Sequence, residues 1–134
     1  MEAALSGRFW SDLTEQVCNV GKTTVLYRMA LNQFYPTTTT LGFNVETLHH
    51  KGYQITMWDM GGTKSIRSLW KHYYLAIQGI IFVLDSACRS RMDEAKDVLH
   101  SVLGEKPLEG VPVIILANKQ DLQGKECFRF FRIF

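Results

Sequence analysis

The chain has 134 residues, 46% of them apolar and 21% charged, with a formal net charge of +2. That size suits one domain, residues 1–134, around one core, and so small a charge without a dense basic stretch argues against a nucleic-acid partner. No apolar run reaches the ~18 residues of a membrane span, and Cys18, Cys88 and Cys127 show neither a disulfide framework nor a zinc spacing. The cytosol is the expected compartment.

In residues 1–14, Leu5, Phe9, Trp10 and Leu13 fall roughly on one helical face. The segment reads either as a short amphipathic helix with a weak affinity for membrane surfaces or as a loosely docked terminus, and Gly7 counts against the helix. Residues 11–16, SDLTEQ, hold one apolar residue, so no central strand can be read there. The stretch VCNVGKTT that follows contains Gly21-Lys22-Thr23, the second half of the phosphate-loop pattern G-x-x-x-x-G-K-[ST]; Gln16 stands where the first glycine belongs. A helix is expected from Gly21 to about Gln33, then a threonine-rich loop after Pro36. FNVETLHH and YQITMWDM alternate around Lys51-Gly52 and read as an antiparallel hairpin. After the glycine loop MGGTKS, IRSLWKHYYLAI reads as helix. GIIFVLD reads as a buried parallel strand, SRMDEAKDVLHSVLG as a helix ended by Gly104, and VPVIILAN as a second buried strand.

This order gives an α/β architecture whose mainly parallel sheet carries its ligands at the strand carboxyl ends. Asp59, Asp85 and Asn118 fall there. Four motifs follow. Lys22 and Thr23 open a helix whose free N–H groups and dipole suit phosphate, with Lys22 adding charge and the Thr23 hydroxyl able to ligate Mg²⁺. Thr40 reads as an ordinary loop threonine or, in a phosphate switch, as a Mg²⁺ ligand sensing the γ-phosphate. Asp59-Met60-Gly61-Gly62 reads as a strand-end turn or as a carboxylate holding Mg²⁺ through water beside a glycine that approaches the γ-phosphate. In Asn118-Lys119-Gln120-Asp121 a carboxylate can accept from guanine N1–H and N2–H, a pair that adenine cannot offer.

With those motifs in order, the chain resembles the small GTPases of the ADP-ribosylation-factor and ADP-ribosylation-factor-like family. The resemblance runs over about residues 17–122, through GKTTVLYRM, TTLGFNVET, MWDMGG, IRSLWKHYY, GIIFVLDSACRSRMDEA and VPVIILANKQDL; residues 1–16 and 123–134 diverge. It implies a small-GTPase-like fold that binds GTP and GDP with Mg²⁺ and switches vesicle or membrane trafficking, in the cytoplasm and peripherally on Golgi or other endomembranes. It implies phosphate contacts from Gly21, Lys22, Thr23, Thr24 and Gly62. Thr23 and Thr40 would hold Mg²⁺, with Asp59 acting through water, and Asn118, Lys119 and Asp121 would hold guanine. Phe43, Trp58 and Tyr73 match the trio that engages protein effectors; plain core packing is the other reading.

The departures carry expectations too. Gln16 and Cys18 degrade the phosphate loop, and Thr63 takes the position of the water-orienting glutamine, so hydrolysis is expected to be weak and no catalytic residue is assigned. The family's closing helices and last strand find no match, leaving a fold incomplete at its first strand and C-terminus. Glu2 stands where myristoylation takes glycine, so no such anchor is expected. A truncated or spliced switch protein fits these features; the alternatives are a nucleotide-independent effector-binding module and a non-functional isoform.

Overall fold

The computed structural model describes residues 6–12, 20–75 and 77–122. Readings placed on Glu2, Gln16, Cys18 and the divergent residues 123–134 lie outside these. The elements are β1 (Ser6–Asp12), α1 (Lys22–Leu31), β2 (Phe43–His50), β3 (Tyr53–Met60), α2 (Lys64–Arg67), β4 (Gly79–Asp85), α3 (Met92–Leu103) and β5 (Val113–Asn118). Short 3₁₀ turns lie at Trp70–Tyr73, Arg89–Arg91 and Lys106–Leu108. The strands form one sheet in the order β2-β3-β1-β4-β5, parallel except for the β2–β3 hairpin.

β1 corrects the reading of the N-terminal segment. Residues 6–12 form no helix; they are an extended strand between β3 and β4, with Phe9 opposite Met57 on one side and Gly79 on the other. The strand that could not be read before the phosphate loop is therefore present, a few residues earlier than expected. With residues 6–12 in the sheet, that part of the segment is not the amphipathic helix read over 1–14. A strand paired on both edges satisfies its backbone donors and acceptors, and that outweighs a weak local preference.

Every residue of β4 is buried. A run of Ile, Phe, Val and Leu suits a strand with layers on both faces. Phe82 and Val83 are wholly inaccessible and pack with Val20, Ile81 and Leu99. Burying each such side chain contributes about 1.5–3 kcal/mol. α3 turns Ala95, Leu99 and Val102 inward at helical spacing, while Asp93 and Glu94 sit in its first turn, where the dipole favours acids. A second cluster joins Met60, Trp70, Tyr74, Ile80, Val102 and Leu108.

The hairpin turn has φ of 48° at Lys51 and 82° at Gly52. Two left-handed residues in a row give a turn whose twist matches that of the strands, and this fixes the register: His50 faces Tyr53 and Asn44 faces Asp59. The segment expected as one helix after the glycine loop is instead split between α2 and the 3₁₀ turn at Trp70–Tyr73. Trp70 is buried there and donates its indole N–H to the Gly61 carbonyl at 3.2 Å. Among the described residues no helix is long and apolar enough to cross a membrane.

Candidate functional site

The carboxyl end of β5, the turn after β3, the threonine loop and the start of α1 converge on one cleft. Gly21 caps α1 with φ of 91°, and a Cβ there would sit 2.3 Å from Asn118 Nδ2. Both backbone angle and space therefore demand glycine. Asn118 Nδ2 donates to the Val20 carbonyl at 2.6 Å, tying the turn into α1 to the end of β5. Lys22, Thr23 and Thr24 follow as the opening residues of α1, where the helix has N–H groups without intrahelical partners. All three line the cleft.

Behind them lies a buried acid. Asp59, at the end of β3, is wholly inaccessible. Its Oδ2 accepts from Thr23 Oγ1 at 2.5 Å, from Asn44 Nδ2 at 3.0 Å and from Thr40 Oγ1 at 3.5 Å. The Thr23 and Thr40 hydroxyls are 3.1 Å apart. Asp59 Oδ1, although buried, has no hydrogen-bond partner among the described residues. A buried carboxylate oxygen left without a donor is costly, and such an exception calls for an explanation. Hard oxygen donors gathered at one point are what Mg²⁺ takes, and a hydroxyl that gives its proton to Asp59 keeps lone pairs for a cation. The residues fit the ion.

Asn44 is a site residue that the motif reading missed. It donates to Asp59 and, at 3.4 Å, to Thr40 Oγ1. The signal was available in the hairpin turn, since counting outward from Lys51-Gly52 puts Asn44 opposite Asp59.

The glycine pair closes the same end. Gly61 N–H donates to the Gly42 carbonyl at 2.6 Å, which holds the threonine loop against β3. Gly62 is buried and lines the cleft, and its carbonyl accepts from Arg67 Nε at 3.4 Å. Thr63 caps α2 through its carbonyl, which accepts from Ile66 and Arg67 N–H. It is not among the residues lining the cleft.

At the other end, Asn118 and Lys119 line the cleft, whereas Asp121 is exposed and does not. The structure thus gathers every nucleotide-contact residue expected from the motifs except Asp121. The cleft encloses about 460 Å³, within the range of small-ligand sites.

The rings of Phe43 and Trp58 on the hairpin meet that of Tyr73 in the 3₁₀ turn. Their centroids are 5.2 Å apart for Phe43–Trp58, 5.8 Å for Trp58–Tyr73 and 6.2 Å for Phe43–Tyr73. Phe43 is 49% exposed, so this trio is not a closed core.

Comparison with known proteins agrees with this geometry. Residues 16–127 match the ADP-ribosylation factor family. Among solved structures, the chain is similar to the Arl6 (BBS3) small GTPase of Trypanosoma brucei, determined with the nucleotide analogue GppNp bound. The two share 31% identity and a TM-score of 0.76, over 89% of this chain and 70% of that one.

Proposed function

The chain belongs to the ADP-ribosylation factor family and is a GTP-binding switch protein, and from that premise we propose that it acts in vesicle and membrane trafficking and hydrolyses its nucleotide weakly. The observation that carries the proposal is the meeting of Thr23 and Thr40, which line the cleft with Lys22 and Asn118, over the buried, half-satisfied Asp59 behind them. Gly21, Lys22, Thr23, Thr24 and Gly62 take the phosphates. Asn118, Lys119 and Asp121 take guanine, with Asp121 moving in from the surface. Thr23 and Thr40, with Asp59 through water, hold Mg²⁺, which when bound offsets the negative charge of the outer phosphates. Thr40 reaches this cluster from a loop, so its contacts are what a γ-phosphate stabilises and its loss releases.

Weak hydrolysis follows from Thr63, whose short side chain starts from the backbone position that would have to orient the attacking water. Protein effectors dock on Phe43, Trp58 and Tyr73. The proposed location is the cytoplasm, peripherally at Golgi or other endomembranes.

Thermal unfolding of the purified chain with Mg²⁺ alone, with GTP and with ATP tests the reading. Ligand at ~100 times Kd adds about 2.7 kcal/mol to native stability. The expected result is an upward shift with GTP that ATP does not give and that Lys22→Ala removes. A cooperative transition indifferent to GTP would refute it. The preassembled aromatic trio favours a second reading, a docking module free of nucleotide control, which predicts partner capture that survives Lys22→Ala but not Trp58→Ala.

A further inference from the structure

The end of β4 carries two buried polar residues that the nucleotide motifs do not use. Asp85 is 8% exposed and Ser86 is 2% exposed. Asp85 Oδ1 accepts from the Ala87 backbone N–H at 2.9 Å, which fixes the carboxylate's orientation. Its Oδ2 pairs with Lys119 Nζ at 2.8 Å. Ser86 works on the neighbouring residues. Its N–H and its hydroxyl both donate to the Asn118 carbonyl, at 3.0 and 2.6 Å, and its Oγ in turn accepts from Gln120 Nε2 at 2.7 Å. Three consecutive residues at the end of β5 and in the loop after it are therefore held by two residues at the end of β4.

The loop needs holding. Lys119 has φ of 61°, a left-handed conformation that a non-glycine residue adopts at a cost and keeps only where its surroundings impose it. A lysine with an unanchored stem would also have to be ordered by each arriving ligand, whereas one already clamped is pre-organised.

We propose that Asp85 and Ser86 are positioning residues for guanine recognition, pre-ordering Asn118, Lys119 and Gln120 so that the loop meets the base without first having to fold. The inference rests on the nucleotide-binding reading above. It also gives Gln120, the variable position of the N-K-x-D motif, a definite role, since its amide closes the chain of hydrogen bonds from Ser86 back to β5. Asp85 acts through Lys119, and Ser86 holds Asn118 only by its backbone carbonyl, leaving the Asn118 amide on Val20. Their effect therefore falls on the base and not on the phosphates, which the α1 end of the cleft receives.

The test measures equilibrium affinities of the full chain for GDP and for ADP, both with Mg²⁺. ADP shares the phosphates but lacks the N1–H and N2–H donors of guanine, so it reports the phosphate end alone. Asp85→Asn keeps an acceptor for the Ala87 N–H while discharging the Lys119 pair. GDP affinity should fall about tenfold, equivalent to 1.4 kcal/mol, with ADP affinity unchanged. Ser86→Ala, which leaves Asp85 untouched, should give the same split. In a cycle with Lys119→Ala, adding Asp85→Asn should cost nothing further, because its partner has already gone. Equal losses for GDP and ADP, or full additivity in the cycle, would overturn the inference and make both residues parts of the general scaffold. Wild-type binding of GDP with both variants unaffected would overturn this inference alone. Absence of GDP binding by the wild-type chain would instead bring down the nucleotide reading and this inference with it.

Discussion

Gly61→Ala should displace the threonine loop from the Mg²⁺ cluster. A Cβ at position 61 would lie 2.5 Å from the Thr40 carbonyl oxygen and 2.9 Å from the Gly42 carbonyl oxygen, with Ile66 Cδ1 at 3.1 Å. The first two are backbone atoms, so a rotamer change cannot relieve the contact. Either β3 or the loop must move, and movement lengthens the 2.6 Å hydrogen bond from Gly61 N–H to the Gly42 carbonyl. Overpacking costs about 1–3 kcal/mol, and a weakened hydrogen bond adds roughly 0.5–1.5 kcal/mol. The sum is about 1.5–4.5 kcal/mol, to be read as a lower urea midpoint with an unchanged slope. Since Thr40 carries one of the two offending atoms and sits 3.1 Å from Thr23 across their hydroxyls, GTP affinity in Mg²⁺ should fall more than GDP affinity. A variant within about 0.5 kcal/mol of wild type, binding both nucleotides equally well, would refute the argument.

Gly21→Ala should cost about 1–3 kcal/mol from its left-handed backbone, and also unhook Asn118 from Val20; nucleotide-free chemical denaturation measures the first effect and GDP titration the second. Thr63→Gln should raise single-turnover GTP hydrolysis by about tenfold or more, and an unchanged rate would mean that Thr63 is not what limits the chemistry. Cys88 should alkylate faster than an ordinary thiol at neutral pH. The Arg91 Nε–H donated to its sulfur at 2.8 Å, with a lesser contribution from Ser90, lowers its pKa and enlarges the thiolate fraction. Peptide mapping after iodoacetamide treatment should show that Arg91→Ala slows this modification, and no change would exclude the arginine as cause.

The sequence was most legible where one physical demand dominated. GIIFVLD could only be a strand covered on both faces, and Lys51-Gly52 between alternating runs could only be a tight hairpin. SGRFWSD offered no such demand. Two apolar residues among Ser, Gly, Arg and Asp carry no strand period, and the segment becomes a strand because β3 and β4 leave a gap of one strand's width between them. That is tertiary context, invisible to a local window. The segment after Gly62 misled differently: side-chain spacing barely distinguishes an α-helix from a 3₁₀ turn, and the deciding contact, Trp70 to the Gly61 carbonyl, spans two elements. At the site, Lys22, Thr23, Thr40, Asp59 and Asn118 were legible because motif chemistry names them. Asn44 was not, since its role comes from cross-strand register. Asp85 was visible as a strand end, but not as the partner of Lys119.

The strand order also sets a schedule for folding. β1 occupies the centre of the sheet, yet both of its neighbours come later in the chain, with α1 and the whole hairpin intervening before even the nearer one is complete. The hairpin, joined by a two-residue turn, can close on its own within about 1–10 μs. β1 has nothing to pair with until β3 exists and no second neighbour until β4 has left the ribosome. During synthesis it waits as an unpaired stretch with both edges open, which makes it a natural handle for chaperones and the point at which slow or interrupted translation would expose the chain to misassembly.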